Sequence, residues 1–352
     1  MITRGSGRRA DPPAGPKGEV YPGGRVFRPA WWLPGAHAQT LGGRFARRRG
    51  LLPLERERLE TPDGDDLLVD WIAGPPGAPV LVVLHGLEGS SFSVYAQGLL
   101  RLARRRGYRG AALNFRSCAR DPRRLSRMLP NRRPRLYHSG ETQDLDFLLR
   151  SIAAREPDAE IAAVGVSLGG NVLLKWLGEH PGQRLVRRAA SISVPYDLAA
   201  GARKLETGVG RLYTASLLST LRVKALDTAR RFPEAAGAMD VPRVERARTF
   251  REFDDAATAP LHAFAGVDDY YARSSSLRYL SEIETPTLCV SARDDPFLPA
   301  ETVEDARRAA SPAVRFAVSE QGGHVGFVEG VLPWRPRSWA EELLEEALFR
   351  SL

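Results

Sequence analysis

The sequence predicts an α/β protein: a mostly parallel, twisted sheet with helices on both faces and a helical insertion late in the chain. Three observations predict it. Continuous apolar runs, of the kind that form strands buried on both faces, recur along the chain, and Val80–Leu84 is the plainest of them. They alternate with stretches of helical period, in the order βαβαβαβ up to about residue 197, and repeated right-handed units of this kind build a parallel sheet. The run Ile161–Val164 passes directly into Gly165-Val166-Ser167-Leu168-Gly169 and then into an amphipathic helix with Val172, Leu173, Trp176 and Leu177 on its apolar side. Strand, sharp turn and helix are the context in which a serine is presented above a sheet edge.

At 352 residues the chain can bury one large core, and 43% hydrophobic with 26% charged residues is the composition of a soluble globular protein. No run of about 18 apolar residues occurs, so no membrane span is expected. The opening Met1-Ile-Thr-Arg-Gly-Ser-Gly-Arg-Arg lacks the apolar core of a signal peptide. Two cysteines, Cys118 and Cys289, make no disulfide framework, and reduced thiols in a cytoplasmic protein are expected. The net charge of +9 is uneven: residues 1–50 hold ten Lys/Arg against two acids, and 101–135 hold thirteen arginines against Asp121. Neither stretch carries a nucleic-acid-binding module, so no nucleic-acid partner is expected. Both are read as solvated surface, with weak attraction to a membrane surface as the alternative.

In chain order, residues 1–24 are read as a disordered basic tail and 25–352 as one domain. Residues 25–50 are aromatic and punctuated by proline, and are read as a strap over the main body, with His37 a hydrogen-bonded structural histidine. Leu54–Ala73 reads as a β-hairpin around Pro62-Asp63-Gly64-Asp65. After Val80–Leu84 comes the tight loop His85-Gly-Leu-Glu-Gly-Ser-Ser91, in which His85 is expected to shape the loop by hydrogen bonding. A helix over about 94–106 and a strand over Gly110–Phe115 follow. Arg116–Arg135 shows no period and is read as a basic loop, and Ser139 is the expected cap of the next helix. Beyond the elbow, Ala189–Val194 is a strand. About 198–280 is helical, Ala/Leu/Arg-rich and read as a lid. Strand Thr287–Ser291, helix 301–310, strand Val314–Val318 and a last helix over about 338–350, with Trp339, Leu343, Leu344 and Leu348 on one face, complete the chain.

A serine hydroxyl is a poor nucleophile until an adjacent base, oriented by a carboxylate, takes its proton. Ser167 is the candidate nucleophile. Three histidines follow it. His180 closes the helix that begins at the elbow and points away; His262 lies in the insertion; only His324 lies in a loop after a late strand, flanked by Gly322-Gly323 and Gly326. The acid belongs just past the preceding core strand. Asp294 and Asp295 both qualify, and Asp295 is preferred because it lies deeper in the turn before Pro296. The N–H of Leu168, at the start of the elbow helix, and that of Leu87, in the loop after Val80–Leu84, are the expected oxyanion donors. No cofactor or metal is expected.

Taken together, His37-Ala-Gln-Thr40, His85-Gly-Leu-Glu-Gly-Ser-Ser91, Asn114-Phe-Arg116, Tyr137-His-Ser-Gly-Glu-Thr142, Gly165-Val-Ser-Leu-Gly-Gly-Asn171, Arg251-Glu-Phe-Asp-Asp255, Asp269-Tyr-Tyr271, Asp294-Asp-Pro-Phe297 and Gly322-Gly-His324 resemble the YheT-type branch of the α/β-hydrolase superfamily over nearly all of 27–350. The resemblance implies the α/β-hydrolase fold, a carboxylic-ester hydrolase, and Ser167, Asp295 and His324 as the triad. Members of the branch act on acylglycerols, phospholipids or medium-chain acyl esters, and some transfer acyl groups to alcohols. The expected partner is therefore a small-molecule acyl ester or lipid, with acyl transfer by the same triad as the alternative activity. A catalytically silent scaffold that binds an anionic partner through 101–135 is the rival from another class. Ser117-Cys118-Ala119-Arg120 departs from the Gly-Cys-Ser-Gly of that branch at the edge of the substrate entry.

Overall fold

The computed structural model describes residues 25–47 and 50–349; the basic tail 1–24 lies outside them. Eight strands form one sheet: β1 (Glu55–Glu60), β2 (Asp66–Ile72), β3 (Val80–Leu84), β4 (Arg109–Asn114), β5 (Ile161–Val166), β6 (Val186–Ile192), β7 (Thr287–Ala292) and β8 (Val314–Ser319). Their order is β1-β2-β4-β3-β5-β6-β7-β8. The β1–β2 and β2–β4 pairs are antiparallel, and every other pair is parallel. Consecutive parallel strands need crossovers, and helices supply them. Because helices cover both faces, the central strands are buried throughout. Val80, Val82 and Leu84 of β3 face the core shared with α3 (Gln143–Arg155) and α4 (Leu168–Glu179). Leu81 and Val83 face the core shared with α2 (Val94–Arg105) and the C-terminal helix Trp339–Phe349. This two-sided burial is why β3 reads as an unbroken apolar run rather than an alternating one.

The N-terminal segment packs Phe27 against Phe327 and Trp339, then enters helix α1 (Gly35–Ala46). Between β6 and β7 the chain is helical, from α5 (Leu198–Leu205) and the long α6 (Gly210–Arg231) to a 3-10 turn at Ser276–Glu282. Leu218, Ala225, Met239, Val244 and Phe253 give this insertion its own apolar cluster. Among the described residues, no helix is long and apolar enough to cross a membrane.

Two local expectations are corrected. Ser139 does not cap α3; the helix starts at Gln143, after Thr142, while the Ser139 N–H donates to the Tyr270 hydroxyl and its carbonyl accepts from Asn171. Local sequence suggested a cap, but two distant side chains claim those backbone groups first. The stretch 116–135 is not all loop: Arg120–Asp121 and Arg124–Met128 pair as a small antiparallel ribbon. Nor is it all solvated surface. Arg116 is 3% exposed, and its guanidinium meets Asp63 at 2.7 Å, Asp65 at 3.1 Å and Asp144 at 2.6 Å. Arg109 pairs with Glu156, Arg106 with Glu345, Arg132 with Asp66 and Arg135 with Glu141. Carboxylates from distant segments thus offset much of the local positive charge.

Arg116 ties the β1–β2 turn to α3 through buried carboxylates. Removing one partner of such a group leaves uncompensated charge in a low-dielectric site, which costs about 3–5 kcal/mol. Arg116→Met should therefore lower the free energy of unfolding by about that amount in urea titration. A loss below about 1 kcal/mol would show that the cluster relaxes into water instead.

Candidate active site

The segments named by the sequence meet at the carboxyl ends of the parallel strands, where ligands bind in open α/β sheets. Ser167 follows β5 with φ 53°, a left-handed conformation that costs a non-glycine residue energy. Its own N–H donates to the Ile192 carbonyl at 2.8 Å, and its carbonyl accepts from Asn171 at 3.1 Å, so both sides of the turn are tied down. The tightness of the turn explains the flanking glycines. A Cβ on Gly165 would lie 2.3 Å from the Gly169 carbonyl oxygen, and one on Gly169 would lie 2.5 Å from that of His85.

His324 Nε2 lies 3.0 Å from Ser167 Oγ, and His324 Nδ1 lies 2.9 Å from Asp295 Oδ2. In the tautomer with its proton on Nδ1, the ring donates to Asp295 and its Nε2 lone pair faces the hydroxyl. Asp295 is 3% exposed and also accepts the Phe297 N–H. Asp294, the other candidate, turns away and accepts the Gly323 N–H at 2.9 Å. His180 bonds its own helix at the Trp176 carbonyl, and His262 packs against His138 with the rings tilted at 54°. Neither reaches the serine.

Three consecutive amides hold the histidine loop, each bonded to a side chain from a different part of the chain. Gly323 donates to Asp294, His324 to Thr40 Oγ1 and Val325 to Ser193 Oγ. The Phe297 ring stacks on the imidazole at 4.1 Å between centroids, nearly parallel. His37 bonds the Tyr213 hydroxyl at 3.0 Å. Thr40 lies in the segment 37–40 and Tyr137 in 137–142, both singled out in the sequence. Phe297 lies in 294–297, likewise singled out, whereas Tyr95, Ser193 and Tyr213 carry no local signal.

The loop after β3 is pinned along its length. Gly86 donates to the Tyr95 hydroxyl, Glu88 to the Tyr137 hydroxyl, Gly89 to the Gly86 carbonyl, Ser90 to Ser93 Oγ and Ser91 to Asn114 Oδ1. In this run only the Leu87 N–H has no acceptor among the described residues. The Leu168 N–H, at the first turn of α4, likewise has none. Both residues line the cavity that contains Ser167 and His324. His85 braces the loop: its Nδ1 lies 2.7 Å from the Gly86 carbonyl, and its Nε2 accepts the Phe115 N–H at 3.1 Å. That second bond needs a neutral ring, and burial pushes its pKa down to about 4.

The cavity has a volume of about 1010 Å³. Insertion residues Leu198, Leu217, Leu221 and Phe253 line one wall. Leu41, Phe45, Leu51 and Leu125 also line it, and each is exposed. Asp254 lines it too; its carboxylate accepts from Thr258 and Tyr271, and burial raises its pKa to about 6. Among the described residues, no group of three or more His, Cys, Asp or Glu is placed to hold a metal ion. Cys118 and Cys289 are free and buried.

The state of His85 makes a pH prediction. An unfolded imidazole takes its proton near pH ~6.5, whereas this one resists until about 4. Acidification through that window therefore loads protons onto the unfolded chain first and lowers stability. The thermal midpoint should drop less between pH 7 and 5 in His85→Gln than in the wild type. Equal slopes would mean that His85 does not contribute.

Comparisons with known proteins show the family of the fold. A protein-family profile for the α/β hydrolase fold matches residues 79–331. YheT of Escherichia coli, named as an esterase, is 37% identical over 325 residues, 92% of each chain. Phospholipase ABHD3 of Bos taurus is 29% identical, covering 88% of this chain and 74% of that protein. Among solved structures, an esterase of Pyrococcus furiosus superposes with a TM-score of 0.53 at 16% identity, covering 84% of this chain and 93% of that one, a likeness of fold alone. The chain belongs to the α/β-hydrolase fold family, within its YheT-type esterase branch.

Proposed function

We propose that this protein is a serine-dependent carboxylic-ester hydrolase that works through an acyl-enzyme on a short- to medium-chain acyl ester or lipid. The observation that carries the reading is the hydrogen-bonded chain from the Ser167 hydroxyl through His324 to Asp295. In the mechanism, His324 Nε2 takes the hydroxyl proton as Ser167 Oγ attacks the ester carbonyl. The N–H groups of Leu87 and Leu168 receive the developing oxyanion. Asp295 holds the imidazole in its tautomer and stabilises the imidazolium. Collapse of the tetrahedral centre transfers the proton to the departing alcohol, and water, activated by the same histidine, then frees the acid.

The size and lining of the cavity support an amphipathic ester. Its walls are largely apolar, which suits an acyl chain. Apolar side chains at Leu41, Phe45, Leu51 and Leu125 stand among Arg44, Arg47, Arg101 and Arg120, which suits a substrate that is part oil and part polar head. In this reading the helical insertion is the lid and residues 25–50 are the strap that carries Thr40 to the histidine loop. The names of the relatives, an esterase and a phospholipase, point to the same substrate class.

Ser167→Ala should fold normally, lose labelling by a fluorophosphonate probe, and lose on the order of 10⁶ in kcat toward p-nitrophenyl esters. Turnover at the wild-type rate would end the proposal. Asp295→Asn should lower kcat by about 10⁴, because the imidazole would be held in the wrong tautomer. Asp294→Asn keeps an acceptor for Gly323 and should cost less than about tenfold, a change of under 1.4 kcal/mol. If the two variants were equally impaired, the acid would be wrongly assigned.

A further inference from the structure

Helix α6 does more than cover the cavity: it touches both sides of the machinery beneath it. Near its start, the Tyr213 ring packs on Phe297 at 4.8 Å, and Phe297 stacks on His324. Eleven residues later, about 16 Å along the helix axis, Lys224 reaches the loop after β3. Its Nζ lies 2.6 Å from Glu88 Oε1 and 3.1 Å from Cys118 Sγ, and 5.1 Å from the centre of the Tyr137 ring. Both ends of this ion pair are withdrawn from solvent, at 6% exposure for Lys224 and 7% for Glu88.

Glu88 is an unusual place for a buried charge. It follows Leu87 directly and stands at φ 56°, a conformation that persists only when its surroundings enforce it. The enforcement is visible. The Glu88 N–H donates to the Tyr137 hydroxyl at 2.8 Å, and that hydroxyl donates back to Glu88 Oε1 at 2.8 Å, the same oxygen that Lys224 holds. Tyr137 in turn stacks on Phe115, whose N–H is bonded to His85. Lys224 is the one member of this group supplied by the insertion. Without it, a carboxylate would sit buried with no countercharge beside the residue whose N–H is free, and the cheapest relief is to turn the loop toward water.

We infer that Lys224 is a positioning residue: through its buried ion pair with Glu88, helix α6 sets the strained backbone of the loop after β3 and hence the direction of the Leu87 N–H. This rests on the proposed oxyanion role of Leu87. The consequence is that closure of α6 and completion of the oxyanion site are one event. A displaced α6 leaves the second donor misdirected.

The test uses the full chain with Lys224→Met, Glu88→Gln and the double variant. Each is checked for folding by circular dichroism and thermal midpoint. Misplacing a preorganised donor acts on the transition state, so Lys224→Met should lower kcat about 10- to 100-fold with KM little changed. It should weaken a boronic acid inhibitor by a similar factor. Glu88→Gln, which keeps the Tyr137 bonds and needs no countercharge, should cost less. The double variant should be more active than Lys224→Met, because the uncompensated carboxylate is gone. Deuterium exchange of the segment 85–92 should be faster in Lys224→Met than in wild type. Unchanged kcat and unchanged exchange would overturn the inference, as would a loss confined to KM or additive effects in the double variant. If Lys224→Met fails to fold, Lys224→Gln, which keeps a hydrogen-bond donor but loses the charge, takes its place, and unchanged kcat with unchanged exchange of 85–92 overturns the inference. If the wild type neither turns over esters nor labels at Ser167, the ester reading fails on its own, while the exchange comparison still decides whether Lys224 holds the loop.

Discussion

The backbone of β5 and the first turn of α4 approach so closely that no side chain fits between them. Gly165 faces the Gly169 carbonyl, and Gly169 faces the carbonyls at the end of β3. This crowding drives Ser167 into a left-handed conformation and presents its hydroxyl at the carboxyl end of the sheet. It also sets the first N–H of α4 beside the serine and seats α4 against the centre of the sheet. The Leu87 N–H, the imidazole and the acid can meet the hydroxyl only because this turn holds it in one place.

The histidine side of the site is built differently. Gly322 and Gly323 let the loop bend at positive φ, but distant partners fix the course of 323–325. It is held by hydrogen bonds from three successive amides to Asp294, Thr40 and Ser193, side chains brought in from the end of β7, from α1 and from just past β6. Helix α1 is therefore part of the site, although it lies some 280 residues from His324 in the chain. The same helix is anchored by Gln39, which bonds both the N–H and the carbonyl of Val328. Loss of the N-terminal segment would strip the loop of one of its three restraints while leaving the sheet intact.

Charge is handled by pairing and by neutrality. Arg116 and Lys224 are buried cations that each meet carboxylates from other elements. His85 is buried without a countercharge, and burial keeps it neutral, as its bond from the Phe115 N–H requires. His138 is likewise buried and pushed down to about 3. A buried ion pair is poor as a source of stability but good at selecting one geometry, and both cationic clusters join loops next to the site to helices.

The order and type of the sheet elements were legible in the sequence because they rest on local patterns. A strand covered on both faces must be continuously apolar, as Val80–Leu84 is, and an elbow this tight must carry glycine at 165 and 169. The positions of Ser167, Asp295 and His324 on that framework could likewise be narrowed by chain order. What the sequence could not say is which groups are claimed by distant partners. Ser139 looks like a helix cap, yet Tyr270 and Asn171 take its backbone. Residues 116–135 look like basic surface, yet Arg116 is buried among three carboxylates. Ser193 and Lys224 carry no pattern of their own, and they matter through contacts across 132 and 136 residues of chain. Periodicity and turn chemistry act over a few residues and are written locally; hydrogen bonds and ion pairs act through space, and only the folded chain decides who meets whom.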